Sequence, residues 1–287
     1  MALLKDETHA QSRDLTEARG YLVVKSNDII QKARFQLSLQ EQKIILYLIS
    51  RIKPSDEDFV HHDFSIVEFC KVCGIDHSSG GNYKAVKEAI KTLSDKSVWL
   101  LFETGVEVLV RWINKAWLSK KSGVIRLRLD DDMKPYLLQL RERFTQYELL
   151  YTLAMRSQYS IRLYELLKSY EYKGGWLFEI DELKQLLSAE KYTRFPDFKR
   201  YILDTALREI NDLSDLIVSY EIIKVGRKYG KVEFEIKRKE DMEERLKTWA
   251  RIDEAINPAQ FSLFKKAYSE LYGESSKEIH SLSSEEE

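Results

Sequence analysis

Phe64-Ser65-Ile66-Val67-Glu68-Phe69-Cys70-Lys71-Val72-Cys73 aligns without a gap onto Phe178-Glu179-Ile180-Asp181-Glu182-Leu183-Lys184-Gln185-Leu186-Leu187, an offset of 114 residues at which the apolar positions coincide. Upstream, Ile44, Leu46 and Tyr47 map onto Ile161, Leu163 and Tyr164 at an offset of 117. Downstream, Val86, Ala89, Ile90 and Leu93 map onto Leu203, Ala206, Leu207 and Ile210, again at 117. Three helical stretches in the same order and at near-constant spacing indicate one domain plan used twice.

Caps and periods set the elements. Ser38-Leu39-Gln40-Glu41 is a capping box for a helix that runs to about Ile52 and stops before Pro54. Ser65 and Glu68 open a second helix ending near Gly74, and a loop at 78–81 leads into a third over Asn82 to Asp95. The period then turns from helical to alternating: Val98 to Phe102, Val106 to Leu118 and Val124 to Leu129. The second half repeats the order with helices over Ser160–Tyr170, Ile180–Ser188 and Phe198–Leu213, then Leu216–Val225, a turn through Gly226 to Gly230, and Lys231–Lys237. Between the halves, Met133 to Arg143 and a segment opened by Thr145 and Glu148 read as connecting helices.

The fold class predicted is α+β, two tandem winged-helix domains (helix-turn-helix with a β-wing) related by internal duplication. Residues 1–20 read as a flexible segment, 21–132 as the first domain, 133–239 as the second with its connecting helices, and 240–287 as an acidic tail. Phe261, Phe264 and Tyr268 give that tail some helical pattern before its final Ser/Glu run.

Composition is consistent with this. In 287 residues, 44% are apolar and 32% charged, with only 4 Pro and 11 Gly, which excludes disordered and fibrous classes. No apolar run approaches the roughly 18 residues of a membrane span, and Met1 to Gly20 has no apolar signal core, so a cytoplasmic protein without membrane contact is expected. Two cysteines make no disulfide framework. The net charge of −1 hides an uneven distribution: 240–287 hold 6 Lys/Arg against 12 Asp/Glu, leaving a mildly basic body.

In a helix-turn-helix the later helix enters the major groove, so its exposed stripe should carry cationic and amide side chains. The first candidate helix offers Asn82, Tyr83, Lys84, Lys87 and Lys91; the second, with its preceding loop, offers Arg194, Lys199, Arg200 and Arg208. Solvated amphipathic helices share such patterns; the hairpins add weight. From Val108 to Leu129 stand six bases and no acid (Arg111, Lys115, Lys120, Lys121, Arg126 and Arg128), interleaved with Trp112 and Trp117. The other tip carries Lys224, Arg227, Lys228 and Lys231. Such tips can hold phosphates flanking the groove. Arginine suits bidentate contact with guanine better than lysine does, so the second domain is expected to read bases more strictly than the first.

Sharper chemistry is not supported. Cys70 and Cys73, with His62 and His77 nearby, suggest half a zinc knuckle, but Cys73 aligns with Leu187, a core position, and no metal is expected. Gly226 to Lys231 resembles a phosphate loop one residue short, with Val232 where Ser or Thr is required. His61, His62 and Asp63 have no nucleophile motif beside them. Neither a catalytic residue nor a cofactor is expected.

Val23-Val24-Lys25-Ser26-Asn27-Asp28-Ile29-Ile30 and Phe35-Gln36-Leu37-Ser38-Leu39-Gln40-Glu41-Gln42-Lys43, followed by the two domain patterns, resemble the iteron-type plasmid replication initiators of the Rep 3 class over about residues 21–239. The resemblance implies recognition helices at 82–95 and 198–213 and wings near 115–128 and 224–231. It implies monomers bound to direct repeats (iterons) in double-stranded origin DNA, and dimers, joined through the first domain, that repress the initiator's own promoter. It further implies opening of an AT-rich tract and recruitment of the host initiator and replicative helicase, without nuclease or ATPase activity. A tandem winged-helix transcription regulator remains the alternative, and a module whose basic faces bind acidic proteins is a third. Direct repeats beside the gene would favour the initiator.

Overall fold

The computed structural model describes residues 22–53, 56–73, 82–101 and 105–255. Segment 1–20, the loop at 78–81, His77, Phe261, Phe264 and Tyr268 lie outside the described residues, as do the side chains of Cys73 and Asn82.

The strands of the first half are β1 (Leu22–Ser26), β2 (Ala33–Arg34), β3 (His62–Ser65), β4 (Ser97–Leu101), β5 (Glu107–Arg111), β6 (Ile113–Ser119) and β7 (Val124–Leu129). Those of the second are β8 (Phe144–Glu148), β9 (Gly175–Glu179), β10 (Leu216–Val225) and β11 (Lys228–Arg238). Each domain runs strand, helix, helix, hairpin. In the first, β3 leads into helices Ile66–Cys73 and Asn82–Ser94 and then pairs with β7, giving the sheet β3-β7-β6. In the second, β9 leads into Ile180–Leu186 and a helix over 195–213, and the sheet is β10-β11-β9.

Helix Leu39–Ser50 opens with the expected capping box: the Glu41 amide donates to the Ser38 hydroxyl at 3.4 Å, and the Ser38 amide to the Glu41 carboxylate at 2.7 Å. Every residue from Glu41 to Ser50 is buried, as happens when a helix is covered on all sides rather than lying at a surface. It packs on helices 66–73 and 82–94 and, from farther along the chain, on Leu149–Ala154 and Gln158–Lys168. One buried apolar cluster runs from Val23 to Ile252. Its buried charges find partners there: Lys43 donates to the Leu153 carbonyl at 2.7 Å, and Lys96 reaches Glu41 at 2.6 Å.

A second seam is polar. β1 pairs antiparallel with β8, Val23 opposite Tyr147 and Lys25 opposite Thr145. Beneath it, the buried Lys25 ammonium and the Tyr147 hydroxyl both donate to Glu165. Burial pushes the Lys25 ammonium below the usual lysine range, with Glu165 opposing, and pushes the Tyr147 phenol far up. Arg162, equally buried, donates to the carbonyls of Ala33 at 2.9 Å and Leu186 at 3.2 Å, fastening β2 to the second domain.

The structure departs from sequence expectation in three places. The helix expected from Thr145 begins only after Glu148, which is the N-cap of Leu149–Ala154 and makes no side-chain cap bond. Residues 144–148 form β8, with Thr145 and Tyr147 turned inward and the Thr145 hydroxyl donating to Asn27 at 2.6 Å, so pairing with β1 overrides a local cap. Of Met133 to Arg143, only Lys134–Leu137 is α-helix, after a single 3₁₀ turn; Gln139 and Arg143 take left-handed backbone, at φ 51° and 54°. The run from Val106 to Leu118 is two strands. Trp112 and Ile113 are both buried, which a regular alternation forbids, and the chain passes there from the sheet β2-β4-β5 to β3-β7-β6. The Trp112 ring holds that corner edge-on against Phe35 at 5.2 Å.

Within the segment expected as tail, helix Met242–Ala255 lies on the second domain, with Thr248 and Ile252 buried and Trp249 meeting Tyr151 at 6.5 Å. No described helix is long and apolar enough to cross a membrane.

Candidate nucleic-acid interface

The helix Asn82–Ser94 is amphipathic. Val86, Ile90 and Leu93 are buried on one stripe, and Lys84, Lys87 and Lys91 stand exposed at a spacing that puts them on the opposite one. Tyr83 is half-buried. None of the three lysines pairs with a carboxylate among the described residues.

The wing beside this helix is the β6–β7 hairpin, whose turn carries Lys120 and Lys121, exposed and unpaired with any described residue, and closes on Gly123 at φ +65°. Lys115 lies 4.9 Å over the Trp117 ring, and that ring meets His61 edge-on at 4.9 Å. The six bases counted in the sequence do not act together. Arg126 is held bidentate by Asp63, its partner across β3 and β7, at 2.5 and 2.6 Å, which raises its already high pKa. Arg128 is held by Asp131 at 2.8 and 2.9 Å and by the Phe59 carbonyl at 3.1 Å. Arg111 belongs to the other sheet, opposite Ser97. Three lysines remain at the wing.

In the second domain the helix over 195–213 is interrupted. Residues Phe195–Phe198 and Asp204–Leu213 are α-helical, and Lys199–Leu203 form a π-turn in which the Asp204 amide donates to the Lys199 carbonyl, five residues back. Phe198, Ile202, Leu203, Ala206, Leu207 and Ile210 face the core, while Arg200, Tyr201 and Arg208 face out. Arg194, at the N-cap, is exposed and 3.8 Å from Asp197. Lys199 is tied to Asp204 at 2.9 Å, which also accepts from the Tyr220 hydroxyl at 2.6 Å. Partial burial alone would raise the Asp204 carboxyl; Tyr220 and Lys199 hold it below the usual carboxylate range.

The β10–β11 hairpin is braced against the start of this helix, Tyr229 stacking on Phe195 at 4.3 Å. Its turn presents Arg227 and Lys228, exposed and unpaired with described residues, and Lys224 lies 5.3 Å over Tyr229. Lys231 is bound to Glu179 across the strands at 2.7 Å. Two expected contacts, Lys199 and Lys231, thus have their ammonium groups committed within the fold. Tyr201, Phe195 and Tyr229 were not singled out by the sequence, which shows aromatics there but neither the π-turn nor the stack.

No group of three or more His, Cys, Asp or Glu among the described residues could hold a metal. Cys70 is buried and its thiol is pushed up by that burial. His62, half-buried in β3, is lowered to about 4 by burial and by nearby Arg51.

Two cationic helices with wings set on one core match a known pattern along most of the chain: the profile of the initiator replication protein WH1 region fits residues 22–168, and that of the initiator Rep protein WH2 region fits 179–236. The chain belongs to the initiator replication protein family. Both domains are winged helices of that family. Among its relatives, an uncharacterized 27.6 kDa protein of Escherichia coli is 24% identical over 226 residues, covering 76% of this chain and 90% of that one. The PI protein of Escherichia coli is 31% identical over 152 residues, 46% of this chain and 49% of that one. The crystal structure of the Pi initiator protein in complex with iteron DNA shares the fold, with a TM-score of 0.64, 22% identity, and coverage of 78% of this chain and 99% of that one.

Proposed function

We propose that this initiator binds direct repeats in double-stranded origin DNA with both winged helices at once and so starts replication of its plasmid. The observation that carries the reading is the pairing, in each domain, of an exposed cationic helix face with a cationic hairpin tip, on two domains joined by one core. The solved Pi initiator of the same fold is bound to iteron DNA. Lys84, Lys87, Lys91 and the wing lysines Lys115, Lys120 and Lys121 would hold phosphates, with Asn82 and Tyr83 at the groove. Arg194, Arg200 and Arg208 would reach bases, flanked by Arg227 and Lys228 on the backbone; Lys199 and Lys231 would add charge from within their ion pairs.

The chain contributes binding and assembly rather than catalysis, and works in the cytoplasm on plasmid DNA. Loading on adjacent repeats would strain the neighbouring AT-rich tract, where the host initiator and replicative helicase are received. A dimer through the first domain, serving autorepression, has a surface to use: β5 is an edge strand, and Trp99 (48% exposed) and Leu109 (51%) stand opposite each other on the outer face of β4 and β5. Leu109→Lys is expected to shift the sedimentation of a dimer to that of a monomer.

The test is a mobility-shift titration of the full chain on duplexes carrying the direct repeats beside its gene, at rising salt. A sequence-selective shift that weakens steeply with salt is expected. Binding that ignores sequence would contradict the reading.

A further inference from the structure

The π-turn in the helix over 195–213 alters which side chains face outward. Its extra residue sets Arg200 and Tyr201 side by side on the outer face, between Arg194 and Arg208. Tyr201 is 51% exposed. A lone exposed aromatic needs no explanation, but this one is built in. Its ring is backed by Tyr192 at 6.3 Å, which in turn rests edge-on against the buried Tyr159 at 6.2 Å. The Arg200 guanidinium lies over it at 5.4 Å. The wide turn is itself maintained by side chains: Lys199 spans it to Asp204, and the Thr205 hydroxyl donates to the Arg200 carbonyl at 3.3 Å. Such turns cost regular helix geometry and concentrate at functional sites.

Resting on the function proposed above, we infer that Tyr201 is a specificity-determining residue that packs its ring on the 5-methyl group of a thymine in the major groove and positions Arg200 for the neighbouring guanine. The methyl of thymine is the apolar group that the major groove offers, and it separates T·A from the other base pairs. A ring backed by Tyr192 meets it with less side-chain freedom to lose on binding, and a guanidinium already resting on that ring is partly ordered before contact. On the first recognition helix the aromatic is Tyr83, half-buried at its start, and the exposed stripe is Lys84, Lys87 and Lys91.

The experiment uses the full chain and a bound duplex in which each thymine is replaced in turn by deoxyuridine, which lacks only the methyl. Affinity is measured at fixed salt for the wild type, Tyr201→Phe and Tyr201→Ala, with a random duplex as reference. The wild type and Tyr201→Phe should each lose about fourfold at one thymine position, the worth of one buried methyl. Tyr201→Ala should bind the thymine and uracil duplexes alike while keeping its affinity for random DNA. If Tyr201→Ala keeps the thymine preference, or loses specific and random binding by the same factor, the assignment is wrong. A wild type that prefers no direct repeat over random DNA would instead overturn the function on which it rests. A thermal melt of each variant confirms that the exposed ring is not needed for folding.

Discussion

In the first winged helix the outer stripe of the recognition helix is three lysines free of carboxylate partners among the described residues. In the second it is Arg200 and Arg208 with Tyr201 between them, on a turn fixed by Lys199, Asp204 and Tyr220. The wings differ as well: the tip with Lys120 and Lys121 is held by the Ile66 amide donating to the Gly123 carbonyl at 2.8 Å, whereas the tip with Arg227 and Lys228 is stacked onto its helix through Tyr229 and Phe195. Lysine is a compact, mobile charge that suits phosphate; arginine beside an ordered aromatic suits the edge of a base. On the function proposed above, one duplicated plan would have one end for holding DNA and another for reading it.

The largest effect is expected under the β1–β8 seam, within the stretch 22–168 that the first profile covers. Glu165→Ala leaves Lys25 buried without its carboxylate and should cost about 3–5 kcal/mol in urea unfolding. The double change Lys25→Met with Glu165→Leu should recover much of it. Next, Arg200→Ala should cost about 1–3 kcal/mol on the direct repeat and little on random DNA in paired binding titrations. Equal losses on both would erase the contrast between the domains.

A third contrast is with pH. His62 corresponds, at the offset of 114, to Trp176 in the second domain. Its folded pKa of about 4 lies below the ordinary 6.5, so the unfolded chain takes up the proton first. The stability held by neutral His62 is complete above pH 6.5 and drains away as pH falls toward 4. His62→Gln should remove on the order of 1–2 kcal/mol of that acid sensitivity in thermal melts at pH 7 and pH 4.5, allowing for its partial exposure. A variant with unchanged acid sensitivity would deny His62 this part. The smallest effect is Lys87→Ala, which should weaken all duplexes alike and lower the salt slope by about 1.

Much of this was legible in the sequence where the signal is local. The capping box at Ser38 and Glu41, the strand Leu216–Val225 and the apolar stripe of Val86, Ile90 and Leu93 follow from caps and periods alone. What failed depends on partners far along the chain. Thr145 to Glu148 has a capping pattern and becomes a strand because β1, more than a hundred residues earlier, lies beside it. The basic run of the first wing looked undivided because Asp63, Asp58 and Asp131, which take up Arg126 and Arg128, lie outside it. Lys231 and Glu179 are brought together in the same way by strand pairing. The π-turn has no spacing that marks it in advance, so Tyr201 could not be distinguished from any other surface tyrosine.

The most direct measurement is a hydroxyl-radical footprint of the full chain on a single direct repeat, run with the wild type, with Lys87→Ala and Lys91→Ala combined, and with Arg200→Ala. Two protected patches about one helical turn apart, spanning roughly 20 base pairs, are expected, each variant losing one patch and keeping the other. A single patch of half that length, dimmed alike by both variants, would contradict simultaneous docking of the two domains.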